Sequence, residues 1–361
     1  MSAFGAASIA FAAPPTPGER ITVALITHSG GAHVEIYLQS LAKAEEVGIV
    51  LLSDPDGTYE VKARATLGEK LAKVYASYHD LLANERPRLA LISMEAKLAP
   101  AAIDAALDAG GHVMAEKPAC TNAEDFAKLA AKANAKGLHL MLALCNRVNP
   151  EVVEAKRLVS SGEIGKVYGI EMHIVQDQTR LTSEAYHKSW MADKARAGGG
   201  HLTWLGLHWL DLGMFITGAK VEQVAGFTGN VGGQPINIED SVAMSMRFDN
   251  GTFGTLTSGY YLDKGNQMHL KVWGSDGWLQ IDNDKDHTVE WYSAKSGAGP
   301  QERSFNNPAD FDPYAVFVRS AVRASMGLES PPITTDESLR VLQAVYALYR
   351  AAESGQAQRI E

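Results

Sequence analysis

Short apolar runs alternate with helical patterns over the first 144 residues of the chain. Residues 21–26 are apolar apart from one threonine, which is typical of a strand buried on both faces of a parallel sheet. A helical pattern follows over residues 34–46, and a second apolar run over residues 48–53 ends at Asp54. This order of strand, loop, helix and strand predicts a doubly wound parallel sheet with helices on both faces.

The same alternation predicts the remaining elements of this first region. A helical segment is predicted within residues 69–84 and helices over residues 99–109 and 121–136, and strands are predicted over residues 88–93, 112–115 and 138–144. Thr121 is the expected N-cap of the third of these helices, because Glu124 three residues later completes a capping-box pattern. Doubly wound sheets bind ligands at the carboxyl ends of their strands. The polar residues expected at those ends are Thr27, Asp54, Ser93 and Lys117.

After residue 146 the pattern changes to longer segments of alternating polarity. Strands are predicted over residues 166–176, 221–231, 241–248, 252–262, 269–273, 278–281 and 288–292, and helices over residues 151–160, 313–326 and 336–354. The chain therefore divides into a tail (1–20), a Rossmann domain (21–146) and an α+β domain with a large, mostly antiparallel open sheet (147–361). The last helix is a candidate to pack back on the first domain. One face of the open sheet is expected to pack against a partner subunit, which predicts an oligomer.

Composition narrows the classes of function. Hydrophobic residues make up 46% and charged residues 21% of the chain, as in soluble globular domains. The formal net charge is -9 and basic runs are missing, so a nucleic-acid partner is not expected. Apolar segments stay shorter than the ~20 residues of a membrane span, so a membrane partner is not expected either. Two cysteines, Cys120 and Cys145, are too few for a disulfide framework and are expected to be buried free thiols.

An alanine-rich stretch at residues 4–12 leaves the cellular compartment open. Its last residues have the small-x-small form of a signal cleavage site, but the positively charged region that starts a signal peptide is missing. The stretch is either the remnant of a signal or a tail. We expect a cytoplasmic protein, with export to the periplasm or beyond as the alternative.

The loop after the first strand carries a candidate dinucleotide site. Gly30 and Gly31 would let a pyrophosphate approach backbone N–H groups at a helix start, and Asp54 could accept hydrogen bonds from the adenosine ribose. The candidate cofactor-binding residues are Thr27, Ser29, Gly30, Gly31, Asp54, Ser93, Glu116 and Lys117. The full G-x-G-x-x-G fingerprint is absent, so a plain βα turn is the alternative. The acidity of Asp54 and Asp56 would repel a 2′-phosphate and favours NAD over NADP.

A glycine run at residues 198–200 is followed by a helical pattern with side chains typical of a substrate pocket. His201, Trp204, His208 and Asp211 recur at spacings of three and four, which places them on one face of a helix. The glycines let the backbone approach another group closely. The alternative is a surface helix whose histidines are satisfied within the protein.

A second candidate is Lys117, which follows the strand at residues 112–115 and precedes a proline. A lysine held there, at the mouth of a nucleotide crevice, can donate a hydrogen bond to a substrate hydroxyl. Its charge would also stabilise the alkoxide that forms when the hydroxyl loses its proton. The alternative is a solvent-exposed loop lysine.

The chain resembles the Gfo/Idh/MocA oxidoreductases from residue 21 to its C-terminus. The matching motifs are Glu116-Lys117-Pro118, residues 198–211, Asp240-Ser241, residues 331–334, Arg147 with Pro150, and residues 162–165. The resemblance implies a Rossmann domain, a C-terminal domain with a large open sheet, assembly into dimers or tetramers, and NAD(P)-linked chemistry on sugars, polyols and related hydroxy compounds. By position, Lys117 matches the catalytic lysine of the family, and His208 matches its histidine or tyrosine acid/base.

Three positions depart from the family pattern. The glycine fingerprint is eroded, and residues 93–95 lack the Thr-Pro-Asn that lies along the nicotinamide in the family. Trp204 occupies the position four residues before His208 where the family has an aspartate. An indole provides a stacking surface and one N–H donor, which suits the apolar face of a sugar ring.

These features predict an NAD-dependent oxidoreductase acting on a hydroxyl of a sugar, polyol or sugar derivative. His208 would take the hydroxyl proton, for which the ordinary imidazole pKa of about 6.5 is suitable, while Lys117 stabilises the alkoxide. The candidate substrate contacts are Arg147, Trp190, His201, Trp204 and Asp211, with His187 as a weaker one.

Two other functions fit the same residues. An NAD-dependent glycosidase would cleave by transient oxidation and elimination, with His201 or His187 as the additional base. A non-catalytic sugar- or nucleotide-sensing protein would have little use for both Lys117 and His208. A metal centre built from His201 and neighbouring residues is disfavoured, because the sequence lacks an H-E-x-x-H pattern or a Cys/His cluster.

Overall fold

A computed structural model describes residues 18–282, 288–295, 298–304 and 311–360. The alanine-rich stretch, for which the sequence leaves a signal remnant and a tail open, lies outside these residues. Two sheets organise the described residues, one parallel and one mostly antiparallel. Among the helices in these ranges, none is long and apolar enough to cross a membrane.

The first sheet is parallel and carries helices on its faces. Its strands are β1 (Ile21–Thr27), β2 (Val47–Ser53), β3 (Leu71–Tyr75), β4 (Leu89–Ser93), β5 (His112–Ala115) and β6 (Leu140–Leu142). Its helices are α1 (Val34–Lys43), α2 (Glu60–Leu67), α3 (Tyr78–Asn84), α4 (Ala99–Asp108) and α5 (Ala123–Ala135). The strand order β3-β2-β1-β4-β5-β6 brings the carboxyl ends of the central strands to one edge. The predicted doubly wound Rossmann sheet is confirmed.

The second sheet is large, open and mostly antiparallel. Its strands are β7 (Val167–Asp177), β8 (Val221–Gly229), β9 (Ser241–Phe248), β10 (Phe253–Leu262), β11 (Asn266–Gly274), β12 (Gly277–Asp282), β13 (Thr288–Ser293), β14 (Ala298–Ser304) and β15 (Gln358–Arg359). In the described ranges their order is β14-β13-β12-β11-β7-β10-β9-β8-β15. The pairing of β10 with β7 is parallel and the other pairings are antiparallel. The predicted antiparallel second domain is confirmed.

The remaining helices are α6 (Pro150–Ser160), α7 (Glu184–His187), α8 (Lys194–Ala197), α9 (Leu207–Thr217), α10 (Pro313–Ser325) and α11 (Thr335–Ser354). Of these, α6, α9 and α11 pack on the second sheet, whereas α10 packs against α1. The start of α11 also contacts the first sheet. The backbone N–H groups of Leu140 and Leu142 on β6 donate to Thr335 Oγ1 (3.0 Å) and Ser338 Oγ (3.1 Å). The last long helix therefore joins the two sheets.

Three local features differ from the prediction. The helical segment predicted within residues 69–84 is α3, but the unpredicted strand β3 precedes it in the same range. β3 lies at the sheet edge, where Ala72 and Lys73 are exposed, so it lacks the apolar run of a central strand. The N-cap of α5 is Asn122, one residue later than predicted, and its Oδ1 accepts from the N–H of Asp125 at 2.8 Å. Strand β14 has no counterpart in the prediction.

The stretch after the glycine run is helical but not uniformly α-helical. Leu202–Gly206 forms a π-helical turn, and α9 begins at Leu207. A π turn widens the helix and shifts the facing of the residues that follow, and such turns occur often at functional sites. Trp204 lies inside the turn and His208 just after it, so the predicted single face at spacings of three and four is altered.

Candidate active site

Lys117 is a buried cation directly after β5. Its side chain is 3% exposed, and its Nζ donates to the backbone carbonyl of Trp204 at 2.8 Å. The same Nζ lies 3.5 Å from the centroid of the Trp204 ring and 3.8 Å from Glu116 Oε1. Burial lowers the pKa of Lys117 from 10.5 to about 8; Glu116 opposes this shift and the charge of Arg180 adds to it. The alternative of an exposed loop lysine is wrong.

His208 is a buried imidazole at the start of α9. Burial lowers its pKa well below 6.5, and the nearby charges of Lys117 and His33 lower it further. Its Nδ1 is buried and has no hydrogen-bond partner among the described residues. The imidazole is therefore neutral at neutral pH, which differs from the unshifted pKa expected from the sequence.

Glu116 anchors a cluster between the first strand–helix unit and Lys117. Its Oε2 accepts a hydrogen bond from the Tyr37 hydroxyl of α1 and lies 3.2 Å from His33 Nδ1. Burial alone would raise the pKa of Glu116, but contact with His33, Lys117 and Tyr37 holds it below its usual value. An ionised Glu116 keeps a negative charge beside Lys117 and partly offsets the burial of that cation.

The glycine loop after β1 is held by side chains. The backbone nitrogen of Gly30 lies 3.0 Å from His28 Nδ1, and that of Glu95 lies 2.9 Å from His28 Nε2. A neutral imidazole accepts a hydrogen bond at one of these two nitrogens. The indole N–H of Trp190 donates to the Gly30 carbonyl at 2.8 Å. A Cβ on Gly31 would lie 2.1 Å from Thr27 Oγ1, so this position has room only for glycine.

Asp54 has the free acceptor that a dinucleotide ribose requires. Its Oδ2 accepts from the N–H groups of Tyr59 (2.7 Å) and Glu60 (3.0 Å) at the start of α2. Its Oδ1 is buried and has no hydrogen-bond partner within the described ranges. Buried carboxylate oxygens are normally satisfied, so this orphaned atom fits a ribose hydroxyl of a bound dinucleotide. The residues present therefore fit NAD.

Comparison with known proteins assigns this architecture. Residues 21–144 match the profile of an oxidoreductase family with an NAD-binding Rossmann fold, and residues 152–280 match the GFO/IDH/MocA C-terminal domain. The chain belongs to the Gfo/Idh/MocA family of oxidoreductases. The predicted family and cofactor are confirmed, because the matched family has an NAD-binding Rossmann fold.

Curated relatives of this chain include dehydrogenases named for different substrates. Trans-1,2-dihydrobenzene-1,2-diol dehydrogenase of Bos taurus is 27% identical over 212 residues, which cover 58% of this chain and 59% of that enzyme. Myo-inositol 2-dehydrogenase of Thermotoga maritima is 22% identical over 339 residues, which cover 90% of this chain and 95% of that enzyme. The chain matches 55%, 59% and 63% of the length of the first three curated relatives.

The solved structures of the Gfo/Idh/MocA family show the same fold. Levoglucosan dehydrogenase in complex with NADH and levoglucosan superposes with a TM-score of 0.83 at 17% identity, covering 95% of this chain and 100% of that chain. At this identity the likeness establishes the fold alone.

Arg147 and Asp211 bind each other rather than facing a ligand. The guanidinium donates through Nε (2.7 Å) and Nη2 (2.6 Å) to the two carboxylate oxygens of Asp211, and the side chains are 3% and 1% exposed. Arg147 Nη1 also donates to Glu337 Oε1 of α11 at 3.1 Å. These contacts use the polar groups of both residues, which corrects the prediction that they bind substrate.

The remaining histidine candidates are also engaged. His201 Nδ1 lies 2.6 Å from Ser258 Oγ, and burial together with the charge of Arg180 lowers the pKa of His201 to about 3. His187 Nε2 lies 2.5 Å from the Leu181 carbonyl oxygen. Each imidazole thus has one ring nitrogen engaged by a contact within the protein. Groups of three or more possible metal ligands are absent from the described residues.

The two tryptophans lie on the cofactor side of the cleft. The rings of Trp190 and Trp204 pack edge to face with centroids 6.1 Å apart, and Trp204 stacks on His33 at 6.1 Å. Trp190 holds the glycine loop through its N–H, so the prediction of a direct substrate contact is retained for Trp204 alone. The glycine run serves packing, because a Cβ on Gly200 would lie 2.0 Å from the Glu239 carbonyl oxygen.

Sequence reasoning missed several residues of this site. They are His28, His33, Tyr37, Arg180 and Glu239. Glu239 binds the N–H groups of Gly200 (2.7 Å) and Leu202 (3.0 Å) and so fixes the start of the widened helix. Of these residues only His33 gave a signal in the sequence, since it ends the glycine loop.

Proposed function

We propose that this protein oxidises, or in reverse reduces, a hydroxyl-bearing carbon of a sugar, polyol or sugar derivative with NAD as hydride carrier. The observation that carries the proposal is a buried ammonium, Lys117, that lies near enough to the buried imidazole of His208 for its charge to lower the imidazole pKa. Relatives named myo-inositol 2-dehydrogenase and levoglucosan dehydrogenase support a carbohydrate substrate. The indole of Trp204 beside Lys117 adds a face for the apolar side of such a ring.

Lys117 and His208 divide the proton chemistry between them. The neutral imidazole of His208 can accept the proton of the substrate hydroxyl, because burial keeps its nitrogen unprotonated. The ammonium of Lys117 stabilises the developing alkoxide in a low-dielectric pocket, where its charge acts strongly. A pKa of about 8 keeps Lys117 mostly charged at neutral pH, yet close enough to share in the proton transfer.

The cofactor would be held by the carboxyl edge of the first sheet. Asp54 would bind the adenosine ribose through Oδ1, and the loop at Gly30 and Gly31 would receive the pyrophosphate. The second acidic residue, Asp56, adds to the repulsion of a 2′-phosphate, so we propose NAD in preference to NADP. When bound, NAD supplies the hydride acceptor.

The two other functions lack comparable support. The glycosidase mechanism needs an additional base, and both candidates, His187 and His201, are engaged within the protein. The sensing function gives no role to the buried Lys117, whose desolvation is unfavourable unless its charge is used.

The open sheet supports an oligomer. Phe253, Trp273 and Trp278 are cross-strand neighbours of one another or of Gly169, so they share a face. Phe253 is 60% exposed and Trp273 36% exposed, which leaves large aromatic surface in solvent. We propose a homodimer or homotetramer through this face. Light scattering should show the assembly, and Phe253→Asp should weaken it.

A substrate panel with matched variants tests the proposed activity. NADH formation is followed with neutral sugars, cyclitols and anhydrosugars, for wild type, Lys117→Met and His208→Gln. We expect each variant to lose ~10²- to 10⁴-fold in kcat. Lys128→Met is the control, since that lysine is 78% exposed on α5. Full activity of Lys117→Met would refute the mechanism, and release of free sugar without net NADH would favour the glycosidase.

A further inference from the structure

Arg180 is a second cation at the same aromatic surface as Lys117. It lies in the short helical turn Thr179–Thr182 that follows β7 and is exposed. Its guanidinium carbon is 5.5 Å from the centroid of the Trp204 ring, while Lys117 Nζ is 3.5 Å from a ring centroid of the same indole. The two cationic centres are therefore no more than about 9 Å apart, by addition of these two distances.

The guanidinium of Arg180 lacks an ion-pair partner in the part of the chain that the structure describes. Its one hydrogen bond there is from Nη1 to the Tyr260 hydroxyl, at 3.5 Å. Tyr186 flanks it, with its ring centroid 5.9 Å from the guanidinium carbon. Asp177 is a nearby acid, but its Oδ1 accepts from the N–H of Thr179. Most of the donor capacity of Arg180 thus faces solvent.

Arg180 and Lys117 place two positive charges at the ring of Trp204. Burial is the main cause of the lowered pKa values of Lys117 and His201, and the charge of Arg180 adds to both shifts, so Arg180 lies near both side chains. The acidic group beside Lys117 is Glu116, which contacts His33 and Tyr37. The family aspartate that would add a negative charge is Trp204 here. The whole chain has a net charge of -9, so the pair of cations at Trp204 is a local feature.

We propose that the substrate is an acidic sugar, such as a uronate or aldonate, whose carboxylate binds Arg180. This rests on the proposed function, because the reacting hydroxyl must reach Lys117 and His208. A guanidinium presents paired donors that match the two oxygens of a carboxylate. The anion would also relieve the repulsion between Arg180 and Lys117, which a neutral sugar cannot do.

The carboxylate takes no part in the reaction. The secondary alcohol R₂CH–OH gives a ketone R₂C=O, with two electrons and one hydrogen leaving as hydride to NAD and the hydroxyl proton leaving through His208 to solvent. Arg180 therefore determines specificity and orientation. Its removal should raise KM for acidic substrates far more than it lowers kcat for any substrate.

Matched acid and neutral sugars test this assignment. NADH formation is measured with D-glucuronate against D-glucose and with D-galacturonate against D-galactose. Wild type should show at least a tenfold higher kcat/KM for the acids. Arg180→Met should lower kcat/KM for the acids by ~10- to 100-fold, the usual effect of a hydrogen bond to a charged group, and leave the neutral sugars within about threefold. Arg180→Lys should recover part of the loss, and Arg64→Met on α2, which is 59% exposed, is the control.

A binding measurement keeps the test decisive when turnover is slow. Calorimetric titration of D-glucuronate into protein saturated with NADH should give weaker binding for Arg180→Met than for wild type. Equal binding, or a loss shared by acid and neutral sugars, overturns the role of Arg180 while the proposed function stands. A wild type that prefers neutral sugars, together with loss of turnover in Lys117→Met, would likewise overturn the role of Arg180 and leave the proposed function standing. A wild type that oxidises no sugar in the presence of NAD counts against the proposed function instead.

Discussion

The buried ion pair of Arg147 and Asp211 predicts that replacing either residue lowers the stability of the fold, and that the two losses differ in size. Breaking a buried ion pair costs about 3–5 kcal/mol because one charge is left uncompensated. Asp211→Asn leaves Arg147 with Glu337 as a second partner at 3.1 Å, so the loss should be near 3 kcal/mol. Arg147→Met leaves the Asp211 carboxylate without another cation within 4 Å among the described residues, so the loss should be larger.

Protonation sets a limit on the effect of Arg147→Met. An unpaired buried carboxyl takes up a proton, and at pH 7 this costs about 4 kcal/mol for an aspartate with an ordinary pKa near 3.9. The folded variant then binds more protons than the unfolded chain, so its stability relative to wild type should rise as the pH falls. The expected recovery between pH 7 and pH 5 is about 2–3 kcal/mol.

Urea denaturation of wild type, both single variants and the double variant measures these values. The double variant should be more stable than the sum of the single losses implies, by ~1–3 kcal/mol, because neither charge remains buried alone. Steady-state kinetics on folded protein supply the control. Unchanged stability in both single variants, together with a raised KM for sugar, would refute the structural role and restore both residues as substrate contacts.

Three further predictions concern pH, packing and the cofactor. Burial lowers the pKa of His201 to about 3, so the stability that depends on its neutral form is present above pH 6.5 and is lost as the pH falls below that value. The loss in the free energy of unfolding should reach ~2 kcal/mol at pH 5 and be absent in His201→Gln. Denaturation of both proteins above pH 6.5 and at pH 5 measures it. Gly31→Ala should destabilise the fold by ~1–3 kcal/mol because its Cβ would overlap Thr27, whereas Gly229→Ala, which meets a side chain only at 3.9 Å, should be neutral by the same thermal melt. Asp54→Asn should weaken NAD binding about tenfold and narrow the preference over NADP in fluorescence titrations; equal affinity for NAD would exclude Asp54 from the ribose site.

The sequence predicts the two sheets well because each strand is specified locally. The central strands of the first sheet are buried on both faces and read as apolar runs, and those of the second alternate. The edge strand β3 escapes this rule, since its exposed Ala72 and Lys73 interrupt the run. Strand prediction therefore fails where burial is incomplete.

The active site was harder to predict because its contacts join distant parts of the chain. Lys117 and His208 were identified by their motifs, and both are buried in the site. Arg147 and Asp211 have the residue types of substrate contacts, but only their separation in space shows that they bind each other. Arg180 carries no local signal, because its importance comes from sharing the ring of Trp204 with Lys117.

The hydrogen bond from Trp190 to Gly30 has a consequence for evolution and engineering of this protein. The loop that would grip the dinucleotide takes its shape from an indole located 160 positions further along the chain and from the imidazole of His28. Contacts from these side chains thus fix the loop shape that repeated glycines fix in the usual fingerprint. The glycines of the fingerprint could therefore be replaced while the loop kept its shape. A fragment ending after the first sheet would lack that indole, and the nucleotide-binding half is not a portable module.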